Sequence, residues 1–384
     1  MPGPAPRVIL LSIGSELLAG ETVDTNAAFI AGQLGGLGLA ATGVRELPDD
    51  RDVIAAAFRE AMAQADAVLV TGGLGPTHDD LTREALADAL GETLRPDPAL
   101  EAQLRERFSG LGRMPETNLR QALLIPSAEA LPNPIGSAPG WWVARPSTVV
   151  ALMPGVPSEM RRMFTNEVTP RLAERFRRPP VAVRVVKTIG IGESAVAERV
   201  GDLLTNPGQG ITAGIYARDD GVHLRFSAAG DGAALADDVE RADRALGDDV
   251  WGHDADDLAS IVLAALGTAG VASVASWEAD TGGTLLALLS AVPAAEGAAR
   301  YLGGVLDVGS APATQLAEAC LQLSLLPQDA NGRSRVRVAM SGALTVAQRE
   351  LRIHGSDDQR RRRAAFAALD AVRRALSPEI EGAG

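Results

Sequence analysis

The sequence predicts an α/β protein whose first part is built on a mostly parallel sheet. Over residues 1–174, short apolar runs alternate with amphipathic helical patterns. Strands that alternate with helices are typical of right-handed crossovers in a parallel sheet. A segment rich in arginine and proline follows at 177–180, and shorter strands and helices in a different order come after it. These observations predict a second, small α+β region and a third α/β region.

The first region contains four candidate strands, each a short apolar run of the kind that is buried on both faces. They are residues 7–14, 41–47, 67–73 and 147–153. The clearest helix follows Asp50, which can cap it, and Gly91 suits the C-cap of a later helix. The apolar positions predicted to share one face of the first of these helices are Val53, Ile54, Ala57, Phe58 and Met62.

The predicted domains are 1–174, 181–252 and 254–378. The second contains an alternating strand at 183–188, the helical stretch GESAVAERVGDLL, the strand GVHLRFSAAG and the helix DVERADRALG. The third begins with a helix that we predict to be capped at Asp254. Its strand VASVASWEAD leads into TGGTLLALLSAV, and VAMSGALTVAQRELRIHG passes directly from one strand to the next.

Charge and composition exclude several classes of function. The net charge of −13 argues against nonspecific binding to nucleic acid or to anionic membranes. The basic run Arg360 to Arg363 opens a helical pattern and is interpreted as a solvated helix face. The single cysteine, Cys320, excludes an internal disulfide and predicts a packed side chain. Because the first residues have no signal-peptide or membrane-span pattern, we expect a cytoplasmic protein.

The stretch VTGGLGPTHDDLT, residues 70–82, is the first candidate site. Parallel sheets bind ligands at the carboxyl ends of their strands, and glycines let backbone amides approach an anion there. The following helix N-terminus also favours phosphate, whereas Asp79 and Asp80 would repel it unless a divalent cation lies between them. A metal–diphosphate site is one interpretation. A plain turn with one aspartate as helix cap is the other, and spacing alone does not separate them. His78 is expected to be a hydrogen-bonded loop residue.

Three further polar loops follow predicted strands or turns, at 14–26, 133–140 and 153–160. In the first, Glu16 and Asp24 are either exposed loop acids or part of the chemistry. In the last, Ser158 and Glu159 open a helix, where they can bind phosphate or ribose or simply cap the helix.

Four motifs, taken in the same order, resemble one known family. TGGLGPTHDDLT, GSELLAGETVDTN, NPIGSAPG and MPGVPSEM are similar to the molybdopterin-binding-type domain of the CinA family (competence/damage-inducible protein), which is itself similar to the MogA/MoaB molybdenum-cofactor proteins. The resemblance implies a three-layer sandwich around the mostly parallel sheet. IGIGESAVAERV resembles the KH-like middle region of the family. Since no basic patch accompanies it, we expect a linker domain and no nucleic-acid partner.

The resemblance also implies an activity. N-terminal domains of the CinA family are described as metal-dependent ADP-ribose pyrophosphatases, so we expect hydrolysis of ADP-ribose or a related compound to AMP and ribose 5-phosphate. The implied metal is Mg²⁺, Mn²⁺ or Co²⁺ on Asp79 and Asp80, with Glu16 or Asp24 as general base. The family also implies a homodimer. The residues expected to contact phosphate or substrate are Gly14, Asn26, Thr71, Gly72, Gly73, Gly75, Thr77, Thr82, Gly155, Ser158 and Glu159.

The third region resembles the family's nicotinamide mononucleotide deamidase domain but departs from its motif. WEADTGG matches A-E-S-C-T-G-G at Glu278, Thr281, Gly282 and Gly283, whereas Ala279 replaces the nucleophilic serine and Asp280 replaces the cysteine. The assisting tyrosine and lysine positions fall on Val308 and Ala313, and Lys187 is the chain's one lysine. Alanine offers no nucleophile. We therefore predict a domain that keeps its fold and has lost deamidation.

Two alternatives to the pyrophosphatase stay open at this point. One is a scaffold that binds a nucleotide or pterin without hydrolysis, in competence or the DNA-damage response. The other is a molybdenum-cofactor enzyme, which is weaker because the later regions resemble the CinA family.

Overall fold

The computed structural model describes residues 5–109, 114–230, 232–306, 317–329, 331 and 333–376. The chain forms two compact units, Met1–Ala182 with Ala229–Asp231, and Val183–Ala228 with Gly232–Gly384. The predicted second and third regions thus lie within one compact unit.

The first unit contains a six-stranded sheet and a separate pair of two-residue strands. Its strands are β1 (Arg7–Ile13), β2 (Ala40–Leu47), β3 (Ala67–Thr71), β4 (Arg95–Pro96), β5 (Leu123–Leu124), β6 (Ala128–Leu131), β7 (Gly140–Ala144) and β8 (Val149–Met153). The sheet order is β2-β1-β3-β8-β7-β6. The first four strands of that order are parallel, whereas β7 and β6 add in antiparallel fashion. A mostly parallel sheet is therefore confirmed.

Helices cover both faces of this sheet. They are α1 (Ser15–Leu18), α2 (Thr25–Leu34), α3 (Arg51–Gln64), α4 (Thr82–Leu90), α5 (Pro98–Phe108), α6 (Pro157–Met163) and α7 (Thr169–Phe176). Alternate strand residues belong to two apolar clusters: α3 and α4 pack on one, and α2, α6 and α7 pack on the other. This is the expected three-layer sandwich, and a π-type turn, Phe164–Val168, joins α6 to α7.

Local sequence signals explain where these helices begin and end. The Asp50 carboxylate caps α3 by accepting from the amides of Asp52 and Val53, both at 3.0 Å. Gly91 ends α4 with a φ of 66°, as predicted. Val53 was predicted on the apolar face of α3, but it is 43% exposed because it lies in the capped first turn, beside the buried face.

The second unit begins with a four-stranded sheet of order β10-β11-β9-β12. Its elements are β9 (Val181–Thr188), α8 (Glu193–Arg199), α9 (Gly201–Thr205), β10 (Ile211–Arg218), β11 (Gly221–Ala229), α10 (Ala236–Leu246) and β12 (Val250–His253). β10 pairs antiparallel with β11, and β12 pairs antiparallel with β9. The α+β character predicted for this region is confirmed.

The rest of the second unit is a five-stranded sheet of order β14-β13-β15-β16-β17. Its elements are α11 (Leu258–Thr268), β13 (Ser273–Ala279), α12 (Thr284–Ser290), β14 (Arg300–Leu306), β15 (Ala319–Leu325), β16 (Ser334–Gly342), β17 (Val346–Ile353) and α13 (Asp357–Leu376). β13 is parallel to both of its neighbours, whereas β16 and β17 are antiparallel. β16 and β17 are joined directly, as predicted, and Cys320 is buried.

The predicted cap at Asp254 is wrong. α11 starts at Leu258, and its N-cap is Asp257, whose carboxylate accepts from the Ser260 amide at 2.8 Å. Asp254 instead binds strand β9 through the Arg184 guanidinium at 2.7 Å and the Val185 amide at 2.8 Å. The Asp254 side chain pairs with Arg184, which lies 70 residues earlier in the chain. A local capping pattern does not reveal such a distant partner.

In the part of the chain that the structure describes, no helix has the length and apolar character needed to cross a bilayer.

Candidate functional site

Three loops meet at the carboxyl ends of β1, β3 and β8. The Gly72 amide donates to the Met153 carbonyl at 3.1 Å. Gly72 has a φ of 96°, and a Cβ there would overlap the Ile13 carbonyl oxygen, so only glycine allows this approach. Asn26 Nδ2 donates to the Gly155 carbonyl at 2.7 Å. The fold therefore brings these three loops together at one edge of the sheet.

Asp80 organises the loop that follows β3. Its Oδ1 accepts from the Gly75 amide at 2.7 Å, and its Oδ2 accepts from the Thr77 amide at 2.8 Å and from the Thr77 hydroxyl. The amides of Gly75 and Thr77 were expected to hold phosphate, but here they are bound to this carboxylate. Because each carboxylate oxygen can accept about two hydrogen bonds, Oδ1 keeps one position for a further partner.

Asp79 differs from Asp80 because its side chain is 56% exposed. The neighbouring Thr77 hydroxyl, which donates to Asp80, is the main cause that lowers the Asp79 pKa, helped by backbone hydrogen bonding and by His78 and Arg120. The His78 side chain is exposed and its Nδ1 lies 3.9 Å from Asp79 Oδ1, which is too long for a hydrogen bond, so the expected hydrogen-bonded histidine is not found among the described residues. Within the described ranges, no three or more His, Cys, Asp or Glu side chains cluster in a way that could hold a metal ion.

Thr71, Gly73 and Thr82 hold the loop in place. Thr82 is completely buried, and its hydroxyl donates to the Gly72 carbonyl at 2.9 Å. A Cβ at Gly73 would overlap the Thr82 hydroxyl, and Thr71 is only 5% exposed at the end of β3. The side chains of Thr71 and Thr82 therefore have a structural role, because burial separates them from solvent, whereas the backbone contact expected of the half-buried Gly73 stays a prediction.

The two acids of the first loop have different environments. Asp24 Oδ1 accepts from the amides of Asn26 (3.0 Å) and Ala27 (2.9 Å), and Oδ2 accepts from the Ser12 hydroxyl at 2.5 Å. Asp24 is thus the N-cap of α2, with both oxygens engaged. Glu16 is exposed, folds back over Gly14, and its side chain has no hydrogen bond to a described residue. Of these two acids, Glu16 is the one whose carboxylate has no hydrogen-bond partner among the described residues.

Asn26 carries an unpaired acceptor in this region. The residue is 8% exposed, and its Oδ1 has no partner among the described residues, although its Nδ2 is bound to Gly155. An unpaired buried polar atom costs about 1–3 kcal/mol. A water or ligand hydroxyl that donates to Oδ1 would remove that cost.

The loop at 133–140 is tied to α6. Asn133 Nδ2 donates to Glu159 Oε2 at 2.7 Å, and the Gly136 amide donates to Asn133 Oδ1 at 2.9 Å. The Glu159 carboxylate therefore holds a loop. Ser158 is exposed, and no side chain caps α6, so the capping alternative for both residues is wrong. A cavity of about 430 Å³ lies beside this loop, lined by residues that include Leu104, Arg107, Gln121, Arg162 and Asn166.

Two arginines that hold these loops were missed by the sequence analysis. Arg83 is 3% exposed and donates to the carbonyls of Leu74 (2.8 Å) and Pro139 (3.0 Å), so it joins two loops. Burial lowers its pKa to about 10, which leaves it charged at neutral pH.

Arg120 donates to the carbonyls of Thr77 and Asp80, and to Glu84 at 2.7 Å. Arg83 directly follows the motif VTGGLGPTHDDLT, and this position was a sequence signal of its role in the loop. Arg120 lies 40 residues from Asp80, and no local pattern indicates its role.

The degenerate motif of the second unit forms the start of a helix. Glu278 is 1% exposed, and its carboxylate accepts from the Thr281 hydroxyl at 2.6 Å and from the amides of Leu285 (3.0 Å) and Leu286 (2.7 Å). Gly282 and Gly283 have positive φ values ahead of α12, and Ala279 ends β13. The retained motif residues thus have a structural role. Positions Val308 and Ala313 lie outside the described residues.

Ser276 cannot take the place of the lost serine. Its Oγ lies 2.6 Å from the Tyr301 hydroxyl, on the face of β13 opposite to Ala279, because side chains alternate along a strand. Burial raises the pKa of Tyr301, with a smaller opposing effect from the Ser276 hydrogen bond.

Comparison with known proteins agrees with this architecture. Residues 9–174 match the family described as "Probable molybdopterin binding domain", and residues 183–252 match "Damage-inducible protein CinA KH domain". A CinA-like protein from Thermomicrobium roseum is 45% identical over 294 residues, which cover 75% of this chain and 71% of the relative. One from Deinococcus radiodurans is 37% identical over 409 residues, covering 97% and 99%.

Among solved structures, the protein CinA of unknown function from Thermoplasma acidophilum is 36% identical, with a TM-score of 0.42, and covers 43% of this chain and 98% of its own. With close relatives matched over most of their length and both domain models in the expected order, the chain belongs to the family of CinA-like proteins.

Proposed function

We propose that the first unit hydrolyses the diphosphate of ADP-ribose, or of a related nucleoside diphosphate compound, to AMP and ribose 5-phosphate in nicotinamide nucleotide recycling. The observation that supports this most is the meeting of three loops at the sheet edge, where Asn26 has an unpaired buried oxygen. Exposed carboxylates on Asp79 and Glu16 accompany those loops.

A divalent cation such as Mg²⁺, Mn²⁺ or Co²⁺ is part of the proposal. Mg²⁺ is commonly held by one or two carboxylates, with water and substrate phosphates as the other ligands. The Asp79 and Asp80 side chains fit such an ion, although the described residues do not form a complete protein cage. When bound, the ion would neutralise charge on the diphosphate and make water more acidic.

Asp80 is proposed to change partners when substrate binds. Its carboxylate accepts hydrogen bonds from the amides of Gly75 and Thr77. These amides are the donors that a phosphate would need. A phosphate that binds there must therefore displace Asp80, which then becomes available as a metal ligand.

Glu16 is proposed as the general base. Asp24 already accepts three hydrogen bonds and caps α2, so proton uptake there would weaken the helix start. Glu16 is exposed and accepts no hydrogen bond from a described residue. A positioned base of this type contributes roughly 10²–10⁴-fold to a rate.

The test is release of AMP from ADP-ribose by the full chain with each of the three metals, separated by liquid chromatography. We expect AMP only with metal, and a fall in kcat of about 10²-fold or more for Glu16→Gln. Glu21→Gln, an exposed glutamate of the same loop, is the matched control and should keep full activity. No turnover with any metal, or unchanged turnover in Asp80→Ala, would contradict the proposal.

A second candidate is a scaffold that binds a nucleotide or pterin without hydrolysis, in competence or the DNA-damage response. It is favoured by the engagement of Asp80 with its own loop, which leaves Asp79 as the one freely exposed carboxylate of the pair. Calorimetric titration of ADP-ribose with and without cation, beside the AMP assay, separates the candidates, because a scaffold binds and releases no AMP.

A further inference from the structure

We propose that the second unit contains a separate binding site for a phosphorylated small molecule, of the size and chemistry of a nucleoside monophosphate. The site is a cavity of about 720 Å³ within this unit. It lies between the β9–α8 loop, the β10–β11 turn, the end of β17 and the second half of α13, and drug-sized ligands occupy cavities of this size.

The cavity lining contains as many arginines as acids, four of each, although the whole chain is acidic. Its acidic lining residues are Glu193, Asp219, Asp249 and Asp370. Three of these four already have arginine partners: Asp219 pairs with Arg362, Asp249 with Arg199 and Arg374, and Asp370 with Arg373 and Arg374. The acids of the wall are thus largely neutralised before any ligand binds.

Three other lining arginines, Arg218, Arg352 and Arg363, form no ion pair within 4.0 Å with a described carboxylate. Of these, Arg352 is near enough to Asp329 to help lower the pKa of that carboxyl. Arg363 donates to the His354 carbonyl at 2.7 Å, which orients its guanidinium within the wall. The guanidinium fork matches the oxygens of a phosphate and binds it through two parallel hydrogen bonds. This set of cations indicates a phosphate as the charged part of the ligand.

The rest of the lining indicates that the ligand has an apolar part as well. Aliphatic side chains line the cavity between the charged groups: Ile189, Ile191, Val222, Leu351, Ile353 and Ala371. Such a surface suits the face of a nucleobase, and inorganic phosphate alone would leave it in contact with water. Glu193 has no ion pair with a described residue and can accept hydrogen bonds from ribose hydroxyls.

This site is distinct from the degenerate motif of the same unit. That motif lies at the end of β13, next to the edge strand β14. The cavity is lined by β17, which forms the opposite edge of the five-stranded sheet, with β15 and β16 between β13 and β17. Its ligand therefore does not depend on the lost serine position.

The test is calorimetric titration of the full chain with AMP, ribose 5-phosphate and inorganic phosphate, with a chelator present to keep divalent metal away from the first unit. We expect AMP to bind most tightly, and its affinity to fall as salt rises, because surface charges are screened. The double variant Arg218→Ser/Arg352→Ser should bind AMP about 10-fold or more weakly, since charge-assisted hydrogen bonds are lost. Neither side chain makes a hydrogen bond to a described residue, so the variant should fold, which thermal unfolding checks.

The matched control is Arg300→Ser, an exposed arginine of the same unit outside the cavity, which should leave AMP binding unchanged. Ala217→Trp fills part of the cavity without altering charge, and it should weaken AMP binding but not phosphate binding. If no probe binds, or if AMP binds equally to the double variant and the intact protein, the site does not exist. Equal affinity for all three probes would refute a nucleoside ligand.

Discussion

Replacing Glu278 tests whether this retained motif residue is structural. Its carboxylate is buried and holds the first turn of α12 through the amides of Leu285 and Leu286, while the Thr281 hydroxyl donates to the same group. Glu278→Ala removes all three acceptor contacts, and alanine is too short to replace them. The region then contains two buried amides without a partner.

The expected loss follows from those contacts. Each unsatisfied buried amide costs about 1–3 kcal/mol, and removal of the buried charge returns part of that cost. We expect Glu278→Ala to lower the free energy of unfolding of the second unit by about 2–4 kcal/mol. Glu278→Gln keeps the shape and one acceptor oxygen, so a smaller loss of about 1–2 kcal/mol is expected.

The assay is urea unfolding monitored by tryptophan fluorescence, to which Trp251 and Trp277 of the second unit contribute. Amide hydrogen exchange of α12 is the local measurement. Asp280→Asn is the control. Asp280 is exposed with a φ of 60°, a conformation that asparagine also tolerates, so its stability should stay within about 0.5 kcal/mol. A loss below about 1 kcal/mol for Glu278→Ala, with normal exchange in α12, would refute the structural role.

Three further predictions concern the loops and the buried polar groups. Arg83→Met should lower the free energy of unfolding of the first unit, measured in urea, by about 2–4 kcal/mol, because two loop carbonyls lose their charged donor. An unchanged free energy of unfolding would show that water replaces the Arg83 guanidinium. Gly72→Ala should lower the free energy of unfolding in urea by more than about 2 kcal/mol, because the new Cβ would overlap the Ile13 backbone. Gly20→Ala, which is also at positive φ but in open space, should lower it by about 1 kcal/mol. In an absorbance titration Tyr301 should ionise above the usual pH range of a tyrosine, and Tyr301→Phe should remove that late step. Since the Tyr301 pKa is raised by burial, its contribution to stability is present below the pKa of the unfolded chain and is lost as pH rises through its folded pKa; an unchanged titration curve in Tyr301→Phe would contradict this.

The helices and strands were predictable where their signals are local. Alternation of apolar runs with helical stripes indicated the parallel β1, β2, β3 and β8, because burial on both faces requires continuous apolar strands. Asp50 and Gly91 were identified as caps because capping depends on residues within one helical turn. The Asp254 cap failed because a strand residue far away in sequence competes for that carboxylate.

The candidate site divides in the same way. The glycine loops and their acids were found from residue type and order, since backbone access to an anion needs glycine. The hydrogen-bond partners and the burial of the individual side chains were not predicted. Asp24 caps a helix, Asp80 holds its own loop, and Thr82 is buried beneath it, although each of them was expected to act on the substrate.

By itself, the sequence determined the family, the α/β class, the loops that meet at the sheet edge and the loss of a nucleophile at Ala279, because these depend on residue identity and local pattern. Only the tertiary structure decided that Asp24 is engaged as a helix cap while Glu16 is exposed, that Arg83 and Arg120 join the loops, and that arginines without an ion pair line a cavity in the second unit. The physical reason is that a hydrogen bond or ion pair depends on distance in space. Its partners here lie tens of residues apart in the chain.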